Sequence, residues 1–110
     1  MKKIAIPTES AKVSAHFGHC PEFTIYQIEE NSIKNKEVIE NPGHKPGFLP
    51  RFLSDKDVDI VLAGGMGSRA INLFNNAGVE VITGVSGDVD SCIHSYISGE
   101  LDTDDNACDH

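Results

Sequence analysis

The sequence of 110 residues lacks the features of several common classes of protein. No apolar run approaches the roughly 20 residues that a membrane-spanning helix needs, so we expect no membrane association. Lysine and arginine number 9 against 17 aspartates and glutamates, and the formal charge of -8 disfavours nucleic acids, which attract basic surfaces. The start, "MKKIAIPTES", has an apolar segment shorter than the roughly 7–15 residues of a secretory signal. A cytoplasmic location is therefore predicted.

Cysteine is also scarce. Cys20, Cys92 and Cys108 make an odd number, and no CxxC pair occurs. This usage disfavours a disulfide scaffold, a zinc ribbon and a thioredoxin-like redox motif. We expect reduced thiols that are free for metal binding or for packing.

The hydrophobic pattern predicts one α/β domain in the order β-β-β-α-β-α-β-α, with a mixed sheet of about five strands. The first strand ends at Pro7, and a turn at Asn31–Ser32 joins the next two strands into a hairpin. The last helix carries an apolar stripe that includes Cys92, which is therefore predicted to lie in the core. The predicted strands are 2–8, 22–30, 32–40, 58–63 and 79–84, and the predicted helices are 48–56, 68–78 and 88–99. The domain is expected to span 1–101, followed by a flexible polar tail, 102–110.

The segment "HFGHC" places two imidazoles and a thiol within five residues. His16 and His19 converge only if the chain turns, which Gly18 permits. Cys20 adds a soft ligand that suits iron–sulfur or copper chemistry. A Cys–His nucleophile is disfavoured because no orienting Asn or Asp is evident nearby. A loop with ordinary, hydrogen-bonded histidines remains the alternative.

A second segment, "LAGGMGSRA", carries three glycines between a buried strand and a helix. Glycines allow close backbone approach, and a helix start attracts anions through its free N–H groups. The segment matches neither a Walker A motif nor GxGxxG. The open alternatives are an anion site at Gly64–Ser68, helped by Arg69, and a tight turn without a ligand.

The C-terminal tail contains a third set of metal-ligand types. Cys108 and His110 are separated by one residue, so both side chains can point the same way from an extended strand. "DTDDN" begins like an EF-hand loop, but Ala107 stands where the required glycine belongs. A metal-binding tail is therefore considered, and a calcium loop is rejected.

Four blocks together resemble the dinitrogenase iron–molybdenum cofactor family: "KIAIPT", "HFGHCPEF", "DIVLAGGMGSRA" and "GVEVITG". The resemblance covers about Lys2 to Leu101 and extends to NifX-like accessory proteins and the C-terminal domain of NifB-like synthases. It implies a ribonuclease H-like fold. It also implies binding or carriage of an iron–molybdenum cofactor or related metal–sulfur cluster, with a cluster donor or acceptor protein as partner and without enzymatic turnover. A protein-interaction module of the same fold, without a cluster, is the alternative.

The resemblance and the two loops define the candidate site. If the first strand and the strand before the glycines are parallel neighbours, the histidine segment and the glycine segment face each other across one cleft. The predicted metal ligands are His19, Cys20, Cys108 and His110. The predicted cofactor-binding residues are His16, Phe17, Gly18, His19, Gly64, Gly65, Met66, Gly67, Ser68 and Arg69.

Overall fold

A computed structural model describes residues 2–15, 17, 20–42 and 48–99. In this part of the chain, six strands form one mixed sheet and three helices cover it. The strand order is β4-β3-β1-β5-β6, with β2 paired to β1. These observations confirm the predicted α/β class and the mixed sheet. The elements are β1 (Lys2–Glu9), β2 (Lys12–Val13), β3 (Glu22–Glu29), β4 (Ser32–Glu40), α1 (Phe48–Asp55), β5 (Ile60–Leu62), α2 (Ser68–Asn76), β6 (Glu80–Ile82) and α3 (Val89–Ser98).

The first strand runs through Pro7 to Glu9, one residue beyond the predicted range of 2–8, so Pro7 does not end it as expected. The Pro7 carbonyl accepts a hydrogen bond from the Ser14 N–H at 2.8 Å. In an antiparallel strand the N and O atoms of one residue point to the same side, so the missing N–H of proline faces away from β3. On that side β5 pairs only with Ile4 and Ala5, so no ladder bond is lost. β1 then turns through Ser10 and Ala11 into β2, a strand that the sequence did not reveal.

The β3–β4 turn lies at Glu30 and Asn31, one residue earlier than predicted. Both residues have positive φ, 52° and 62°, as a two-residue hairpin turn of type I′ requires. Asparagine tolerates this conformation better than most residues do. A β-bulge between Gln27 and Ile28 shifts the register, which makes the turn position hard to read from alternation alone.

Each face of the sheet has its own core. The alternation of side chains along the strands places one set against α1 and α2 and the other set against α3. The first core contains Ala5, Phe23, Ile25, Leu49, Leu53, Val61, Ala63 and Phe74. The second contains Ile4, Ile6, Tyr26, Ile60, Leu62, Val89, Cys92 and Ile93. Cys92 is 5% exposed, which confirms its predicted place in the core.

The last helical turn of α2 differs from the prediction. Phe74 is fully buried, but Ala77 is exposed, because α2 ends at Asn76 and Ala77 is its C-cap. Gly78 and Gly99 follow their helices with φ of 81° and 78°. This left-handed conformation ends α2 and α3, as predicted from the two glycines.

The topology brings the starts of the three helices to one edge of the sheet, which we call the upper edge. β1, β4, β5 and β6 all run toward it. α2 and α3 follow β5 and β6 and therefore begin there. α1 precedes β5, and the turn after α1 contacts the start of β1 through the Lys3 amine and the Lys56 carbonyl, 2.8 Å apart. α1 thus ends at the opposite edge of the sheet, the lower edge, and begins toward the upper edge.

Candidate functional site

The histidine and glycine segments lie against each other at the upper edge. β1 and β5 are parallel neighbours, as the site prediction required. The Phe17 N–H donates to the Gly65 carbonyl at 3.1 Å. A Cβ atom on Gly64 would lie 2.8 Å from the Ser14 oxygen, and one on Gly65 would lie 2.8 Å from the Ala15 oxygen. The two backbones are therefore in direct contact here, and no cleft separates them at Gly64 and Gly65.

Phe17 does not present its side chain to a ligand. It is 6% exposed, and its ring packs against Phe23 at 5.7 Å and edge-on against Phe74 at 5.4 Å, between ring centroids. Phe17 was predicted to bind the cofactor, and this packing leaves little of its side chain accessible to a ligand. Phe17 instead fixes the histidine segment onto the core. Its neighbours His16, Gly18 and His19 lie outside the described residues.

Cys20 is also part of the core. It is 1% exposed, and its thiol donates to the Phe17 carbonyl at 3.2 Å. The Asn41 side-chain amide donates to the Cys20 carbonyl at 2.7 Å. Burial raises the pKa of the Cys20 thiol to about 11. A metal ligand requires an accessible thiolate, so this geometry is unfavourable for the metal-ligand role predicted for Cys20; it equally disfavours a nucleophile, as the sequence already did.

The second half of the glycine segment is open. Met66 is half-buried against the core, whereas Gly67, Ser68 and Arg69 are exposed. Gly67 is the N-cap of α2, with φ -67° and ψ 151°, and as a glycine it makes no side-chain cap hydrogen bond. A Cβ atom there would meet no atom of the described residues within 4 Å. The first N–H groups of a helix have no partners within it, so the start of α2 offers donors to an anion.

The segment between β6 and α3 is hydrogen-bonded to the backbone of the glycine segment. The Gly84 N–H donates to the Gly64 carbonyl and the Val85 N–H to the Ala63 carbonyl, both at 3.1 Å. Gly84 and Gly87 have φ of 80° and 97°, a conformation that favours glycine. The upper edge is thus a set of mutually hydrogen-bonded loops around the start of α2.

Local donors can attract an anion to this acidic protein. The formal charge of -8 gives an unfavourable overall field. All three helices begin toward the upper edge, and a helix start carries a positive partial charge. Arg69, in the first turn of α2, adds a full positive charge next to the open Gly67. The arrangement can therefore hold an anion by backbone N–H groups and one guanidinium.

The described residues contain no group of three or more His, Cys, Asp or Glu side chains arranged to hold a metal ion. Of the predicted metal ligands, His19, Cys108 and His110 lie outside the described residues, as does the predicted tail, 102–110. No helix within the described ranges is long and apolar enough to cross a membrane.

Sequence reasoning missed two contributors to the site. Asn41 bonds to Cys20, and the Ser14 and Ala15 backbones fill the space beside Gly64 and Gly65. The adjacent glycine pair after a buried strand was a usable signal, because such pairs also mark close approach of two backbones. No local pattern marks Asn41, since its partner lies 21 residues away.

Comparisons with known proteins place the chain in a family. Residues 1–99 match the family model described as dinitrogenase iron-molybdenum cofactor. The uncharacterized protein MJ0580 of Methanocaldococcus jannaschii is 33% identical over 107 residues, covering 93% of this chain and 91% of the relative. The crystal structure of PH0822 matches with a TM-score of 0.89 and 42% identity, over 93% of this chain and 94% of that one. A proposed NifB protein from Thermotoga matches with a TM-score of 0.75 and 28% identity, over 94% and 93% of the two chains. The chain belongs to the dinitrogenase iron–molybdenum cofactor family.

Proposed function

We propose that the protein is a cytoplasmic carrier or accessory protein for an iron–molybdenum or related metal–sulfur cluster. It would act in the biosynthesis or trafficking of that cofactor and would catalyse no reaction. Family membership over residues 1–99 supports the class of ligand. The observation that carries the proposal is the open, uncapped start of α2 at Gly67, next to Arg69. We also propose that the fold is of the ribonuclease H-like type.

The hydrogen-bond donors at the start of α2, which are backbone N–H groups and the Arg69 guanidinium, suit an anionic cluster with a sulfide surface. N–H groups at a helix start and a guanidinium donate to anions without needing a deprotonated ligand. His16 is covalently next to Phe17, whose N–H is bonded to Gly65, so the histidine segment is tied to the glycine segment. We propose that His16 and His19 supply imidazoles from this side. Cys20 then stabilises the loop by packing, and Cys108 and His110 are at most secondary ligands.

The direct test is metal content and spectroscopy of anaerobically purified protein. Tetrathiomolybdate serves as a soluble anionic molybdenum–sulfur probe, with molybdate and inorganic phosphate as oxyanion controls. We expect stoichiometric binding of tetrathiomolybdate, seen as a change in visible absorption, and much weaker binding of the oxyanions. Substoichiometric metal after anaerobic reconstitution, with no titratable binding of the probe, would contradict the proposal and favour the interaction module.

Substitutions of the proposed binding residues test where the cluster site lies. His16→Ala, His19→Ala and Arg69→Ala should each weaken probe binding by roughly 1–3 kcal/mol, the scale for loss of a hydrogen bond to a charged group. Arg51→Ala is the matched control, because Arg51 is exposed on α1 and the net charge changes equally. Deletion of residues 102–110 should matter less, because ordering a tail costs conformational entropy. If that deletion abolishes binding while both histidine variants bind normally, the tail is the site.

An aromatic pair of one exposed and one partly buried ring favours a protein partner as well. Phe48, at the start of α1, is 38% exposed and stacks on Phe52 at 5.9 Å between ring centroids. Aromatic side chains are enriched at protein interfaces. We propose that this pair contacts a cluster donor or acceptor. If the protein is only an interaction module, Phe48→Ala should abolish partner binding while no cluster is ever found.

A further inference from the structure

Two side chains from different strands converge on one carboxylate oxygen of Asp90, at the start of α3. Tyr26, on β3, is 1% exposed, and its hydroxyl donates to the Asp90 Oδ1 atom. The Lys36 Nζ atom, from β4, lies 3.0 Å from the same oxygen. The Lys36 amine also lies 5.8 Å from the centroid of the Tyr26 ring. Asp90 is in the first turn of α3, so the contact ties that turn to the β3–β4 side of the sheet.

The chain that leads to Asp90 is bonded to the glycine segment and to the β1–β2 hairpin. We call residues 84–90 the junction segment. Its Gly84 and Val85 N–H groups bond to the backbone of the glycine segment. Its Gly87 carbonyl accepts from the Val13 N–H at 2.8 Å, and the Val89 N–H donates to the Ala11 carbonyl at 3.1 Å. The junction segment therefore links the β1–β2 hairpin to the glycine segment.

We propose that Asp90 is a positioning residue for the upper edge. Together with Tyr26 and Lys36 it fixes the first turn of α3, and through the junction segment it holds the glycine segment in its binding arrangement. The contact is suited to this role because a hydroxyl bond to a carboxylate is charge-assisted and directional. If Asp90 is removed, the Tyr26 hydroxyl loses its acceptor, and the first turn of α3 loses its side-chain link to β3 and β4. The effect on ligand binding rests on the proposed function, whereas the effect on the loops does not.

Amide hydrogen exchange measured by NMR tests the positioning role without any ligand. Asp90→Ala and Tyr26→Phe should raise the exchange rates of the Val13, Gly84 and Val85 amides about tenfold or more, because local opening controls their exchange. Amides in the β1–β3 ladder should be unchanged. Asp90→Asn keeps an oxygen acceptor and should restore most of the protection. Asp55→Asn is the matched control, because it makes the same charge change at an exposed residue at the end of α1, away from the upper edge.

Tetrathiomolybdate titration of the same variants tests the consequence for binding. We expect affinity to fall several-fold in Asp90→Ala and Tyr26→Phe and to stay near wild type in Asp55→Asn. Unchanged exchange at the three amides in Asp90→Ala, or an equal rise at the ladder amides, would overturn the positioning role. A local rise in exchange with unchanged affinity would overturn its link to binding. If the wild-type protein does not bind the probe, the proposed function fails, and the exchange rates alone decide the role of Asp90.

Discussion

The two halves of the glycine segment use glycine for different reasons. At Gly64 and Gly65 the backbone of the histidine segment occupies the space that a Cβ atom would need. At Gly67 that space is empty, and the φ of -67° is open to any residue. The first half is therefore closed by packing, and the second half is available to a ligand. A glycine-rich loop can thus combine a structural part with a binding part within four residues.

The largest effect should follow Gly64→Ala. The new methyl group would meet the Ser14 oxygen at 2.8 Å and the Ala15 Cα atom at 3.1 Å, and both are backbone atoms that cannot rotate away. We expect a loss of about 3 kcal/mol in the free energy of unfolding, the upper range for overpacking. Urea denaturation measures it, with Gly67→Ala as the control. A variant as stable as wild type would mean that the two segments are not in contact.

Sequence reasoning found the parts of this edge but not their roles. The buried strand before the glycines, the helix after them and the stop at Gly78 follow from local periodicity and from glycine at a helix end. The closure of Gly64 and Gly65 depends on Ser14 and Ala15, some fifty residues earlier, so no local pattern encodes it. Likewise, Cys20 looked like a ligand beside His19. Its burial depends on long-range packing of the neighbouring Phe17 against Phe74.

The next largest effect should be a loss of folding stability at alkaline pH, caused by ionisation of Cys20 in the histidine segment. The folded-state pKa of Cys20 is raised to about 11 from about 9, so the fold favours the neutral thiol. Its contribution is fully present below pH 9 and is lost as the pH rises from about 9 to 11. Since one pKa unit corresponds to about 1.4 kcal/mol, this rise sets an upper limit of about 3 kcal/mol, and we expect a loss of about 2 kcal/mol after screening by solvent.

The pH dependence of unfolding in wild type and Cys20→Ala separates this contribution from other groups. Tyr26 and Cys92 also have raised pKa values through burial, and they titrate in both proteins. The variant should lose less stability than wild type between pH 9 and 11. Parallel curves would show that Cys20 is not buried as described. Iodoacetamide should also label Cys20 more slowly than free cysteine near pH 7.

Gly65→Ala should have a smaller effect than Gly64→Ala. Its Cβ atom would meet only the Ala15 carbonyl group, with the oxygen at 2.8 Å. The histidine segment can shift by a few tenths of an ångström at this single contact, at the expense of the bond from Phe17 to Gly65. We expect a loss of about 1–2 kcal/mol by urea denaturation. A loss equal to that of Gly64→Ala would show that both positions are equally enclosed.

Gly67→Ser should have the smallest effect on stability. It tests the binding role of this position separately from its role in folding. Serine is a favoured N-cap, and the site has room for it, so the free energy of unfolding should stay within about 0.5 kcal/mol of wild type or rise slightly. The hydroxyl would, however, accept a hydrogen bond from the same α2 N–H groups that we assign to the cluster. Tetrathiomolybdate affinity should therefore fall about five- to tenfold, near 1 kcal/mol. Gly67→Ala is the matched control, because it adds the Cβ atom without a competing acceptor and should weaken binding less. If both variants fold and bind the probe as wild type does, the start of α2 is not the binding site, and the open half of the segment has another use.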